Sequence, residues 1–177
     1  MHKVISVFGG SSPRAGEPAY EQARQVGRLL ARAGLAVATG GYSGTMSAVS
    51  QGAAEANGHV IGVTSAQIER FRPLAANPWV REEIRYETLR DRLLHLVTQN
   101  DGMIVLPGGI GTLSEMTLAW SFLQVGEISP RPLVLLGDLW RATIASFHQP
   151  EYVREPHLHL LQFAMTPAEA VRAVMEA

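Results

Sequence analysis

Short apolar runs alternate with amphipathic stretches along most of the chain. Val4–Phe8, Leu35–Thr39, Val60–Val63, Gly102–Leu106 and Pro132–Leu136 are mostly apolar runs of four or five residues, the pattern of strands buried on both faces. Between the first two, Ala19–Ala33 places Ala23, Val26, Leu29 and Leu30 on one helical face and stops at Gly34. Thr45–Asn57 repeats the arrangement and is closed by Gly58. The same periodicity predicts helices at Thr88–Gln99, Gly111–Gln124, Leu139–Phe147 and Pro167–Glu176, the last opened by Thr166 as N-cap with Glu169 three residues on. Glu82–Tyr86 is a short ordered segment and His159–Ala164 a candidate late strand. Strands alternating with helices predict an α/β fold: a doubly wound, Rossmann-like parallel sheet in a three-layer α/β/α arrangement. No repeat, linker or low-complexity tract interrupts residues 1–177, so a single domain is expected.

One stretch breaks the rhythm. Thr64–Val80 holds Pro73 and Pro78, carries Phe71 and Trp79, and keeps no period. A loop of this length in a compact domain is a lid, a binding loop or a contact surface, or else a plain surface excursion.

Composition narrows the chemistry. The hydrophobic and charged fractions, 46% and 18%, are those of an ordinary globular protein. With a net charge of −1 and no run of like charges, neither nucleic acid nor an anionic membrane has an electrostatic handle. Cysteine is absent, which removes disulfides and thiolate chemistry. The opening apolar stretch ends at Gly9-Gly10, too soon for a signal peptide or a membrane span, so a cytoplasmic protein is expected. Lys3 is the sole lysine. A Walker phosphate loop, which needs Gly-Lys-Ser/Thr, is therefore missing. A Schiff-base lysine for pyridoxal phosphate is equally implausible, because Lys3 precedes the first strand, at the end opposite the ligand edge of an open α/β sheet. His157 and His159 would point the same way on a strand, but no third metal ligand accompanies them, and they read as surface histidines. No metal or cofactor is expected.

Three strand-to-helix turns carry small residues: Gly9-Gly10-Ser11-Ser12, Thr39-Gly40-Gly41-Tyr42-Ser43-Gly44-Thr45, and Pro107-Gly108-Gly109-Ile110-Gly111-Thr112. In a right-handed parallel sheet all three fall on the carboxyl edge. Glycine there admits a ligand to the backbone, and a helix N-terminus holds an anion without any lysine. None of the turns reads Gly-x-Gly-x-x-Gly, so the dinucleotide fingerprint is not supported. The third turn continues Leu113-Ser114-Glu115, which puts a carboxylate about one helical turn inside, on the face of Gly111 and Thr112. Such a glutamate is either a stabiliser of the helix start or a group serving a different part of the ligand from the phosphate.

The run Pro107–Glu115 resembles the PGGxGTxxE motif of the LOG ("Lonely Guy") family, the cytokinin riboside 5′-monophosphate phosphoribohydrolases and their bacterial relatives, long mislabelled as lysine decarboxylases. The likeness extends to Val7-Phe8-Gly9-Gly10-Ser11-Ser12, to the Gly40-Gly41 turn with Met46, and to Val60-Ile61-Gly62-Val63. Family members carry an arginine on the helix before the motif, which corresponds to Arg92. On that helix Leu89, Leu93 and Leu96 form the expected buried stripe, and Arg92 lies with His95 and Gln99 on another, free to face the ligand edge; the alternative is a solvated arginine, with Arg85 and Arg90 as nearby competitors. Two positions depart from the pattern: Leu93 stands where the family has lysine, and Tyr42 interrupts what is typically a third glycine. The base is left open by these differences.

The resemblance implies cleavage of the N-glycosidic bond of a nucleoside 5′-monophosphate to a free base and ribose 5-phosphate. Glu115 would stabilise the oxocarbenium-like sugar or activate water, and Arg92 would orient substrate or assist the leaving base. Gly108, Gly109, Gly111 and Thr112 would hold the phosphate, with Ser11, Gly41 and Met46 bordering sugar and base. It also implies a homodimer with sites near the interface, for which Trp120 and Phe122 are either partner surface or core. The alternative is a non-catalytic carrier or sensor of a nucleotide or phosphorylated cofactor, similar to molybdenum-cofactor carriers, which would use the same turns without needing Glu115.

Overall fold

The five apolar runs all become parallel strands, and two further strands join them in a computed structural model that describes residues 3–176. The strands are β1 (Val4–Phe8), β2 (Ala36–Thr39), β3 (Val60–Ser65), β4 (Glu82–Tyr86), β5 (Gly102–Val105), β6 (Leu133–Leu136) and β7 (Leu161–Ala164). They form one seven-stranded sheet in the order β4-β3-β2-β1-β5-β6-β7, with every neighbouring pair parallel. The helices are α1 (Pro18–Arg32), α2 (Thr45–Glu55), α3 (Ala66–Phe71), α4 (Leu89–Thr98), α5 (Ile110–Val125), α6 (Asp138–Phe147), α7 (Glu155–Leu158) and α8 (Pro167–Met175).

The two-residue period of the strands divides the core into two layers. Ile5 and Val7 of β1, Ile104 of β5 and Val134 and Leu136 of β6 pack under α1, α2 and α8. Phe8, Met103, Val105, Leu133 and Leu135 point the other way, under α4, α5 and α6. This is the three-layer Rossmann-like arrangement expected from the alternation. Small residues bring α1 and α2 together: a Cβ at Gly27 would run into the carbonyl of Val49, and one at Gly52 into that of Arg24.

Several details differ from the sequence reading. The irregular stretch after Val63 is partly ordered: Thr64 and Ser65 extend β3, and Ala66–Phe71 turns into α3 before Pro73 stops it. His157 and His159 are not on a strand, because α7 occupies Glu155–Leu158 and pairing with β6 begins only at Leu161. His159 instead pairs with Glu155 at 3.4 Å. Trp120 belongs to the core, its indole N–H donating to the His157 carbonyl at 2.7 Å, and Phe122 packs partly buried against the same layer. Leu89 is exposed; the buried face of α4 is Arg92, Leu96 and Val97. Among the described residues no helix is long and apolar enough to cross a membrane, and no three potential ligands are grouped to hold a metal.

Candidate active site at the switch point of the sheet

From β1 the chain winds outward through β2, β3 and β4, then returns to lay β5 on the other side of β1. The connections after β1 and β5 therefore leave in opposite directions and open a crevice beyond the carboxyl ends of these strands. The three glycine turns meet there. Gly10 N–H donates to the Pro107 carbonyl at 3.2 Å, joining the first turn to the third. The Gly10 carbonyl in turn accepts from both the N–H and the hydroxyl of Thr45, at 2.9 and 3.0 Å, joining the first to the second.

Such close approach explains part of the glycine content. A Cβ at Gly108 would collide with the Thr112 hydroxyl and lie 2.9 Å from Gly10 N. Gly44, at φ +70°, would bring a Cβ to 2.5 Å from Ser11 Cα. Gly109 and Gly111 are different, since a Cβ at either would meet nothing within 4 Å. Packing within the chain does not require glycine at these two positions; they face an open cleft.

That cleft measures about 530 Å³. One side carries Ser11, Ser12 and Ser43 with Gly109 and Gly111, and α5 begins here with no side-chain cap. Unpaired N–H groups of its first turn and the positive end of its dipole thus border the space, which suits an anion. The floor contains Gly40, Tyr42, Met46, Arg92 and Glu115, and the outer wall is Ile68, Phe71, Arg72, Leu74, Leu89 and Ile110.

Arg92 and Glu115 are both buried, at 6% and 9% exposure. Arg92 reaches the floor from α4 because that helix, capped by the Thr88 hydroxyl on Asp91 N–H, stacks beside β3. Its Nε donates to the Val63 carbonyl at 2.7 Å and its Nη2 to the Gly40 carbonyl at 3.1 Å. A Cβ at Gly40 would strike that Nη2, so glycine clears the space for the guanidinium. The Tyr42 ring lies beneath it, 5.6 Å from ring centroid to Arg92 Cζ. Nη1 remains, directed at Glu115 Oε1 across 3.8 Å, an ion-pair distance rather than a hydrogen bond. Burial dominates both groups: it lowers the Arg92 pKa against the pull of Glu115, and it raises that of Glu115 to about 7 against the pull of Arg92. A carboxyl that titrates near neutrality beside a fixed guanidinium can accept or return a proton, or face a developing cation as a carboxylate.

Of the residues singled out in the sequence, Arg92, Glu115, Gly109, Gly111, Thr112, Ser11 and Met46 come together around this cleft. Gly108 and Gly41 stand behind it. Gly108 serves the contact between turns, and Gly41, at φ +78°, packs with its Cα side toward Thr64 and Gly62, so Gly40 takes its place in the floor. The sequence named Gly40 only as part of the second turn and not as a site residue, while the stretch it offered as a lid, binding loop or contact surface supplies Ile68, Phe71, Arg72 and Leu74 of the outer wall. Phe71, just ahead of Pro73 and Pro78 in a stretch without a period, was the available signal for that segment.

Known proteins resemble this chain along most of its length. The model of the SLOG cluster4 family matches residues 2–151. The chain is similar to a cytokinin riboside 5′-monophosphate phosphoribohydrolase of Rhodococcoides fascians, 32% identical over 77% of this chain and 68% of that protein. It is similar to another of that name from Mycobacterium tuberculosis, 30% identical over 96% of this chain and 92% of the other. Among solved structures, the molybdenum cofactor binding protein of Rippkaea orientalis superposes with a TM-score of 0.78 at 25% identity, covering 99% of this chain and 97% of that one. With the family model spanning most of the chain and a relative 30% identical over 96% of it, this protein belongs to the SLOG cluster4 family, of the LOG type that its Pro107–Glu115 motif resembles.

Proposed function

We propose that the protein hydrolyses the N-glycosidic bond of a nucleoside 5′-monophosphate, releasing the free base and ribose 5-phosphate. The observation that carries this reading is Glu115: a buried carboxyl raised to about 7, next to a guanidinium, on the helix whose uncapped N-terminus borders the cleft. Holding a phosphate calls for the turns and the helix end, but a carboxylate beside it only weakens that hold. Its place is explained by a reaction in which positive charge develops on the sugar.

In this mechanism the 5′-phosphate lies against Gly109, Gly111 and Thr112, with Gly108 shaping the turn. The ribose is then over Glu115, which as a carboxylate stabilises the oxocarbenium-like sugar and takes a proton from the attacking water. Arg92, fixed by two carbonyls, orients the substrate and steadies the leaving base. Ser11 and Met46 border sugar and base, with Gly41 holding the turn behind them. The names of the two relatives support this substrate class. A homodimer acting in the cytoplasm completes the proposal; Ile110, 80% exposed at the mouth of the cleft, is an apolar group that a second copy would cover.

The second reading is a carrier of a phosphorylated cofactor, favoured by the close superposition on the Rippkaea orientalis protein. One experiment separates the two. Purified protein is incubated with a panel of nucleoside 5′-monophosphates and assayed for free base and ribose 5-phosphate, alongside Glu115→Gln and Arg92→Ala. Release that both substitutions abolish is expected. Tight binding with no release from any nucleotide would establish the carrier instead, and release surviving both substitutions would displace the catalytic pair.

A further inference from the structure

We propose that Tyr42 is a positioning residue for this cleft: its ring holds Arg92 toward Glu115, and its hydroxyl fastens α3, with the outer wall, to the second glycine turn. The inference deepens the active-site reading above and rests on it for the roles of Arg92 and Glu115.

Tyr42 follows Gly41, whose positive φ reverses the backbone and sends the tyrosine inward, where it is 3% exposed. At one end of the side chain the hydroxyl accepts the Ser65 N–H at 2.8 Å and lies 3.2 Å from the Ser65 carbonyl and 3.4 Å from Glu69 Oε1, either of which can take its proton. Burial raises its pKa, so the hydroxyl keeps that proton at neutral pH. Ser65 is the last residue of β3 and the N-cap of α3. Glu69 lies within α3 and is held by Arg85 of β4 at 2.6 Å. The far end of the same segment is also attached, because the Asn77 amide donates to the Gly41 and Tyr42 carbonyls at 3.0 and 3.1 Å. The segment bearing Ile68, Phe71, Arg72 and Leu74 is thus attached to the Gly41-Tyr42 turn at both ends.

The ring does a second thing. Two nitrogens of Arg92 are committed to main-chain carbonyls, and the aromatic face closes one side of the guanidinium plane, leaving Nη1 directed at Glu115. Removing the ring lets the guanidinium drop into the vacated space and away from the carboxylate. The charged groups facing this cluster are Arg92 from α4, Glu115 from α5, Glu69 from α3 and, behind it, Arg85 from β4.

Two variants separate the two ends of the side chain. Tyr42→Phe keeps the ring and removes the hydroxyl; Tyr42→Leu removes both. The first readout is the carboxyl titration of Glu115 in protein carrying 13C-labelled glutamate, the resonance being assigned by its loss in Glu115→Gln. Tyr42→Phe should leave the midpoint unchanged, whereas Tyr42→Leu should raise it by about half a unit or more, as Arg92 recedes. The second is amide exchange across residues 65–71, which should quicken at least tenfold in both variants. In turnover of whichever of AMP, GMP, CMP or UMP is cleaved, Tyr42→Phe should raise KM several-fold at nearly constant kcat, and Tyr42→Leu should lower kcat and move the acid limb of the profile upward. Neither titration nor exchange needs turnover, so both shifts in a protein that cleaves no nucleotide would sink the hydrolase reading and leave the positioning role intact. An unaltered midpoint in folded Tyr42→Leu would overturn the ring's role. Should circular dichroism show that variant unfolded, Tyr42→Phe decides: unchanged exchange in α3, or a moved midpoint, overturns the proposal.

Discussion

Glu115 sits where a carboxylate is difficult to ionise, and that has a consequence for stability as well as for activity. Its folded pKa of about 7 lies above the ordinary carboxyl value of 4.5, so the folded protein binds this proton more tightly than the unfolded chain does. The stabilisation is complete below about pH 4.5 and is lost as pH rises through about 7, amounting to roughly 3 kcal/mol over the window. Glu115→Gln removes that dependence. Urea unfolding at pH 5 and pH 8 should show the variant gaining on the parent at the higher pH by up to about 3 kcal/mol, and equal differences at both pH values would contradict the burial argument. Turnover has the opposite slope: if the carboxylate is the working form, kcat rises with pH to a plateau above about 7. Gly111 supplies a sharper test of the cradle. It lies within α5 with open space where a Cβ would go, so Gly111→Ala should fold with equal or greater stability, by about 0.5–1 kcal/mol, and yet lose nucleotide binding. Thermal melts with and without ligand check both halves. Glu115 and Gly111 were legible in the sequence because helix spacing from a glycine turn fixes their face. The work of Gly40 was not, since the guanidinium for which it makes room arrives from 52 residues away.

At the scale of elements, legibility followed length and burial. The central strands and the long helices repeat an apolar period often enough to be read, whereas α3 spans six residues and α7 four, too few to repeat one. Pro73 and Pro78 add to this in the first stretch, which therefore read as a lid, binding loop or surface excursion rather than a helix. β4 is an edge strand with Glu82, Glu83 and Arg85 exposed, so it lacks the hydrophobic run of its neighbours while its charges guard the open edge. The helix that delivers Arg92 was read within a residue at each end, but its buried face was displaced, because a buried arginine took a place the pattern would assign to leucine. Its start depends on Thr88, which accepts Asp91 N–H at 3.1 Å and donates to the Asp91 carboxylate at 2.7 Å. Thr88→Ala should cost about 1 kcal/mol in urea unfolding. Turnover should fall only a few-fold, because Arg92 is held independently by Val63 and Gly40; a loss as large as that of Arg92→Ala would mean that the cap, not those carbonyls, fixes the guanidinium.

For the molecule as a whole, the site joins the two halves of the sheet. The second turn belongs to the β2 side, the third to β5, and the first lies between them, bonded to both. A ligand seated across these turns therefore binds the native arrangement alone and must raise global stability by mass action. At one hundred times its Kd, a nucleoside 5′-monophosphate should add about 2.7 kcal/mol, a rise in Tm of roughly 5–10 °C for a domain of this size. The phosphate is expected to supply most of the recognition, because the cleft offers it the uncapped end of α5 and no lysine. The corresponding nucleoside, at the same concentration, should shift Tm by only a small fraction of that rise. Gly111→Ala should abolish the shift while leaving the unliganded Tm at or above that of the parent. A nucleoside that stabilises as well as its monophosphate would place the binding energy in the apolar outer wall of Ile68, Phe71 and Leu74 and take it away from the glycine turns.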